Sequence, residues 1–217
     1  MTGSDSKPLI AVLDYGIGNL RSAQKGLQFV GADARLTSDL KLIAEADAVV
    51  LPGVGNFGAC MTALRQANLE ESVYAAIESS RPFLGICVGM QMLFESSQES
   101  PGVSGLGLVK GEICWLPTEV QKPQMQWNQL KILNQDDLFA GLEQNPWMYF
   151  VHSLSAVAKD NSVVVATCSY GVDLVAAIRL KNIFATQFHP EKSATEGLKI
   201  LKNFVATCGA NRIDAKV

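Results

Sequence analysis

Histidine is almost absent from this chain: His152 and His189 are the only two among 217 residues. Imidazole acid–base chemistry therefore has two candidates, and a histidine-rich metal centre is excluded. An excess of one charge is also missing. The 18 Lys and Arg are interspersed with 21 Asp and Glu, net −3, which leaves no basic face for nucleic acid or anionic lipid. Nowhere do eighteen apolar residues run together, and the first apolar run, Leu9-Ile10-Ala11-Val12-Leu13, is cut by Asp14. That run is too short for a signal-peptide core, so neither export by that route nor a membrane span is expected. The 5 cysteines are widely spaced and form no C-x-x-C pair, which argues against a disulfide framework and a zinc site and for a reducing, cytoplasmic setting.

The composition, 48% hydrophobic and 18% charged, is that of a globular α/β protein with a full core. Residues 1–8 are small and polar and are expected to form a disordered N-terminal segment, with one domain over 9–217. Apolar patterning predicts strands at 9–13, 48–51 and 83–86 and helices at 20–30 and 64–77, an alternation that implies a mostly parallel sheet with helices on both faces. Past Gly102 the pieces are shorter and β-rich, at 111–116, 130–133, 148–151, 163–168, 174–178 and 183–187. Hairpin-like links such as 179–182 predict an antiparallel extension of the sheet. Ser193-Ala194-Thr195-Glu196 reads as a capping box opening a last helix, whose apolar stripe is Leu198, Leu201, Phe204, Val205 and Cys208.

The chemistry concentrates at Gly85-Ile86-Cys87-Val88-Gly89, a G-x-C-x-G turn between a predicted strand and a predicted helix over 88–94. Such an elbow holds a thiol above the sheet, and the amides of the following helix favour the thiolate. A buried structural cysteine is the competing reading, since Cys is among the most buried residue types. In His189-Pro190-Glu191 the proline keeps the segment extended, and residues two apart then share a side, so Glu191 stands beside the imidazole. That completes a triad of Cys87, His189 and Glu191, although alone the same tripeptide also reads as a surface pair. For an oxyanion, the amide of Val88 is one donor. Leu51-Pro52-Gly53-Val54-Gly55 can turn an amide near Val54 into the second, and is otherwise an ordinary turn.

Together these residues resemble the class I glutamine amidotransferases, whose triad is a Cys in G-x-C-x-G with a His and Glu in H-P-E. Pro52-Gly53-Val54-Gly55, Gly85-Ile86-Cys87-Val88-Gly89-Met90-Gln91, Tyr149-Phe150-Val151-His152-Ser153 and Gln187-Phe188-His189-Pro190-Glu191-Lys192-Ser193 look most like the branch of glutaminase subunits that serves histidine biosynthesis. The likeness spans about residues 9–205. It implies a three-layer α/β fold, L-glutamine as substrate and no metal or organic cofactor. It also implies a heterodimer with a cyclase subunit of β/α-barrel fold that receives the ammonia, and activity raised by that partner and its ligand. By the same resemblance Gly53, Gly55, Gln91 and Glu99 contact glutamine, with backbone near Ser153 and Leu154 holding its amino-acid end. His152 is then a gate or structural residue, and Gln126, Trp127 and Asn128 lie toward the partner.

The chain departs from that family in two places. Pro-Gln-Met-Gln-Trp-Asn at 123–128 replaces a usual Pro-His-Met-Gly-Trp-Asn, and Leu154 stands where an aromatic commonly follows the His-Ser pair. A glycine replaced by Gln126 removes access to positive φ, if the family's backbone needs it there. The departures favour a rival within the family, an amidotransferase supplying ammonia to another synthase such as one for a cell-surface sugar. A thiol hydrolase of small esters or peptides and a non-catalytic scaffold that binds a barrel partner are the more distant alternatives.

Overall fold

The computed structural model describes residues 7–18 and 20–214, with side chains as far as residue 208. Its centre is built from apolar runs that hold no exposed position: β1 (Leu9–Leu13), β3 (Ala48–Gly53), β4 (Phe83–Cys87) and β13 (Ile183–Thr186). Strands covered on both faces have to read this way, because neither side of the pleat meets water. With β2 (Asp33–Thr37), β8 (Lys131–Ile132), β11 (Val164–Tyr170) and β12 (Val172–Leu180) they form an eight-stranded sheet in the order β2-β1-β3-β4-β13-β12-β11-β8. Pairing from β2 to β13 is parallel; β13 to β12, β12 to β11 and β11 to β8 are antiparallel.

Strand order reverses direction at β1, so right-handed crossovers place α1 (Leu20–Phe29) on one face and α2 (Leu40–Glu45), α3 (Phe57–Gln66) and α4 (Glu70–Glu78) on the other. The last helix, α6 (Ala194–Asp214), packs beside α1. A small sheet of β10 (Leu154–Ala158), β6 (Gly111–Trp115) and β5 (Ser96–Ser97) and a ribbon of β7 (Gln124–Gln129) with β9 (Trp147–His152) stand beside the large one. Among the described residues no helix is long and apolar enough to cross a membrane.

Several expectations are corrected. The predicted helix over 64–77 is two helices, because Asn68 takes a positive φ of 56° and ends α3 before α4 begins. The helix after Cys87, expected over 88–94, is the single turn α5 (Val88–Gln91). The carbonyls of Met92, Leu93 and Phe94 are taken instead by the amides of Leu106, Val109 and Gly107, so a loop from far along the chain replaces the next turn. The capping box does not form: Ser193 Oγ binds the Tyr149 N–H and the His189 carbonyl, and Glu196 goes to Lys199 and the Glu143 amide. The disorder expected for residues 1–8 falls outside the described residues over 1–6, whereas the Pro8 carbonyl accepts from Asp33 N–H at 2.9 Å.

Candidate active site

Cys87 ends β4 with φ 56° and ψ −113°, a backbone state that L-residues seldom occupy and that turns the strand directly into α5. The turn fits only because its neighbours lack side chains. Gly89 lies against the Leu51 carbonyl of β3, whose carbon would sit 2.8 Å from a Cβ built there. The thiol is 3% exposed, 3.7 Å from Gln187 Nε2 and 4.0 Å from the Val151 carbonyl. With one helical turn behind it, the sulfur gains from the amides of that turn, not from a long macrodipole.

His189 reaches the same place because β13 is the parallel neighbour of β4, paired from Ile183 with Phe83 to Thr186 with Ile86, so both chains emerge at one edge. Its amide is tied to the Tyr149 carbonyl at 3.0 Å and its carbonyl to Ser193 Oγ at 2.6 Å. His189 Nδ1 lies 2.8 Å from Glu191 Oε1, with the two side chains 2% and 4% exposed. The carboxylate fixes Nδ1 as the protonated nitrogen and leaves Nε2 to the cavity. Nε2 has no hydrogen-bond partner of ordinary geometry, but it is near enough to the Cys87 sulfur to interact with it both as a weak donor and through charge. Burial opposes an imidazolium here, but Cys87 and Glu191 outweigh it and push the His189 pKa up to about 10. At neutral pH His189 therefore carries its second proton.

Cys87 and His189 line a cavity of about 260 Å³, with Glu191 set behind the imidazole. Val54, Gly55, Val88, Gln91, Ser153 and Leu154 all lie in its wall. Gln91 Nε2 donates to Gln187 Oε1 at 3.0 Å and reaches the Leu154 carbonyl at 3.4 Å. Glu99 also lines it, with one carboxylate oxygen 2.7 Å from the Phe57 amide at the start of α3. Gly53 lies behind the wall, where a Cβ would come within 2.8 Å of Gly89 N. His152, in the wall, donates from Nδ1 to the Leu154 carbonyl at 2.7 Å. Burial, only partly offset by that bond, lowers its pKa to about 4, so it stays neutral with Nε2 as an unpartnered acceptor.

Gln126, Trp127 and Asn128 lie outside the cavity on β7. Trp127 is 44% exposed and meets Tyr149 edge-on at 6.1 Å, and Asn128 donates to the Ser169 carbonyl. Gln126 pairs with Phe150 in an ordinary strand and is not among the positive-φ positions, so the exchange of glycine for glutamine costs nothing in the backbone. Gln124 points inward beside His152, fully buried, with its Oε1 unpartnered. Reasoning from the sequence missed Gln187, which was read as the end of a strand but lies in the bend that follows β13 and comes within 3.7 Å of Cys87. It also missed Pro123 in the cavity wall and Tyr15, whose hydroxyl donates to the Pro52 carbonyl.

Residues 12–208 match the family described as Glutamine amidotransferase class-I. The chain belongs to that family. Curated relatives of this class I amidotransferase include the imidazole glycerol phosphate synthase subunit HisH of Geobacter sulfurreducens, 48% identical over 202 residues that make up 90% of this chain and 97% of that one. The protein of the same name from Methanothermobacter thermautotrophicus is 50% identical over 197 residues, 91% of this chain and 98% of that one. Among solved structures, one titled as a glutamine amidotransferase superposes with a TM-score of 0.73 at 21% identity, covering 92% of this chain and 98% of that one. The structure of PurLQS from Thermotoga maritima gives 0.69 at 20% identity over 96% and 100% of the two chains. At that identity the two structures speak for the fold alone, and the fold is the expected one: an amidotransferase sheet, mostly parallel, with helices on both faces and an antiparallel extension.

Proposed function

We propose that this class I amidotransferase is the glutaminase subunit of an imidazole glycerol phosphate synthase, with Cys87, His189 and Glu191 as its catalytic triad. The observation that carries the reading is the buried Glu191–His189 pair at 2.8 Å, facing Cys87 across one cavity at the edge of β4 and β13. The Cys87 thiolate adds to the side-chain carbonyl carbon of L-glutamine, forming the S–C bond and moving the C=O electrons onto oxygen. The amides of Val54 and Val88 receive that oxyanion. His189 Nε2 then gives its proton to the amide nitrogen; the C–N bond breaks, and ammonia leaves with a glutamyl thioester behind. The neutral His189 takes a proton from water, whose oxygen attacks the thioester. The C–S bond breaks, and glutamate leaves with the thiolate and imidazolium restored. Glu191 holds Nδ1–H throughout. Gln91, Glu99, Gly53, Gly55 and the backbone at Ser153 and Leu154 bind the glutamine.

The synthase assignment draws on the names of the relatives, together with a face suited to a partner. Met125 and Trp127 on β7 and Trp147 on β9 point to one side of the ribbon and are 65%, 44% and 52% exposed. An apolar aromatic surface of this kind fits a protein interface. The occupant of that face is a cyclase subunit, a β/α barrel that receives ammonia past His152, and the complex works in the cytoplasm. The departures at Gln124, Gln126 and Leu154 support the second reading, an amidotransferase subunit of a different synthase.

Glutamate release from L-glutamine, by the protein alone and with the cyclase subunit of the same genome plus its nucleotide ligand, separates the two. Turnover that needs Cys87 and rises with that cyclase is expected. Cys87-dependent turnover indifferent to the cyclase moves the assignment to another synthase, and no turnover in either setting removes the glutaminase reading.

A further inference from the structure

The loop after β3 is gripped by two side chains that lie outside the triad. The Tyr15 hydroxyl donates to the Pro52 carbonyl at 2.5 Å, and the Cys60 thiol, on α3, donates to the Val54 carbonyl at 3.3 Å. Both residues are in the core, 5% and 0% exposed. The two groups also lie within hydrogen-bonding reach of one another, hydroxyl toward thiol, and both are close enough to Cys87 to feel its charge. Burial pushes the Cys60 thiol up to about 11 and holds the Tyr15 phenol above its ordinary value, so both carry their protons, and both are donors, at neutral pH.

What the two bonds hold is set by peptide geometry. Each peptide unit is a rigid plane. Fixing the Pro52 oxygen orients the Pro52–Gly53 plane, and fixing the Val54 oxygen orients the Val54–Gly55 plane. The unit between them, Gly53–Val54, carries the Val54 N–H and can only rotate between two held neighbours. Space closes on it as well. A Cβ at Gly53 would stand 3.0 Å from the Tyr15 hydroxyl and 2.8 Å from Gly89 N, so the Tyr15 hydroxyl touches the loop just where the loop meets the elbow.

We propose that Tyr15 and Cys60 are positioning residues: two buried donors hold the carbonyls on either side of the Gly53–Val54 peptide, and so aim the Val54 N–H at the oxyanion formed when Cys87 adds to a carboxamide. Neither touches the substrate. The proposal rests on the glutaminase reading above, and it explains why a phenol and a thiol are kept in an otherwise apolar layer against a loop with two glycines. Preorganised donors are what make an oxyanion site effective, and a loosened donor costs less than a deleted one.

The test uses the full chain with its cyclase partner. Tyr15→Phe keeps the ring and removes the donor, Cys60→Ala removes the other donor, and Cys60→Ser restores one. Two rates are measured on each variant. The first is glutamine hydrolysis, resolved into kcat and KM. The second is alkylation of Cys87 by iodoacetamide, followed by peptide mapping; there the sulfur displaces iodide from a saturated carbon and no oxyanion forms. A fall in kcat of about tenfold is expected for Tyr15→Phe and Cys60→Ala, as for a donor misaligned but present. KM and the alkylation rate should stay within about twofold, and Cys60→Ser should recover most of kcat. Should Tyr15→Phe not fold, the Cys60 pair carries the test alone. Wild-type kcat in the variants overturns the proposal, as does a loss of kcat matched by an equal loss of alkylation. Wild-type turnover that vanishes in Cys87→Ala shows that the glutaminase reading stands whichever way the variants behave, and wild type without such turnover sinks both.

Discussion

Replacing Gly89 with alanine puts the closest approach in the site under direct load. The new Cβ would sit 2.8 Å from the Leu51 carbonyl carbon and closer still to its oxygen, and both are backbone atoms of a central strand that cannot swing aside. Relief requires α5 and β3 to part by on the order of 1 Å, and overpacking of that kind costs about 1–3 kcal/mol. The displaced element begins at Cys87, and a misplacement of about 1 Å at a reacting atom costs roughly a hundredfold in rate. A graded series follows from the same contacts. At Gly53 the nearest atom to a new Cβ is Gly89 N at 2.8 Å, and at Gly85 the nearest are the Ala185 Cβ and Gly89 oxygen at 3.1 Å. Glutaminase kcat and urea unfolding should therefore both worsen in the order Gly85→Ala, Gly53→Ala, Gly89→Ala. A Gly89→Ala protein with kcat/KM within about threefold of wild type would refute the claim that β3 and the elbow are locked together.

Glu191→Gln should leave the fold intact and lower kcat by about a hundredfold or more, since the amide can hold the imidazole in the wrong tautomer and no longer balances its charge; steady-state kinetics with a circular dichroism control would check it. The raised His189 pKa sets a pH window. Its imidazolium contributes stability in full below about pH 6.5, and that contribution declines as pH climbs toward about 10. The gap in urea midpoint between wild type and His189→Gln should close over that range, and close at lower pH in a Cys87→Ala background; a gap independent of pH would contradict the coupling. Far from the cavity, Asp136 accepts two bonds of 2.7 Å from Arg179 and one from the Leu138 amide, so Asp136→Ala should cost about 1–3 kcal/mol in urea unfolding while kcat stays unchanged.

The central strands β1, β3 and β4 were legible because strands buried on both faces are written as unbroken apolar runs, and Cys87 because its flanking glycines carry geometry; His189 and Glu191 do meet, but through a 3-10 turn at Pro190–Lys192 and not through the extended run expected from the sequence. β2 was not, since Asp-Ala-Arg-Leu-Thr belongs to an edge strand with one buried residue. The polar β7, Gln-Met-Gln-Trp-Asn-Gln, was hidden for a related reason: its pairing with β9 is made by backbone, and most of its side chains face solvent. The length of α5 could not be read locally at all, because amides some fifteen residues downstream decide where it stops. Ser193 looked like a cap and serves instead as a bolt between His189 and Tyr149, a role that depends on a strand forty-four residues away. Contacts across the sheet, such as Tyr15 to Pro52, leave no periodic trace in the chain.

The position of β13 governs how the molecule comes into being. Among the described residues it is the last strand in chain order, yet it occupies an interior slot, with β4 on one side and β12 on the other. Until it inserts, the parallel half of the sheet and the antiparallel half share no ladder, and each presents a raw edge. Pairing across about a hundred residues is slow to find, because loop closure must precede any reward. The strand that closes the gap also delivers His189, so a chain in which β13 has not yet inserted holds Cys87 without the imidazole beside it. Closure of the sheet and the meeting of Cys87 with His189 are one event.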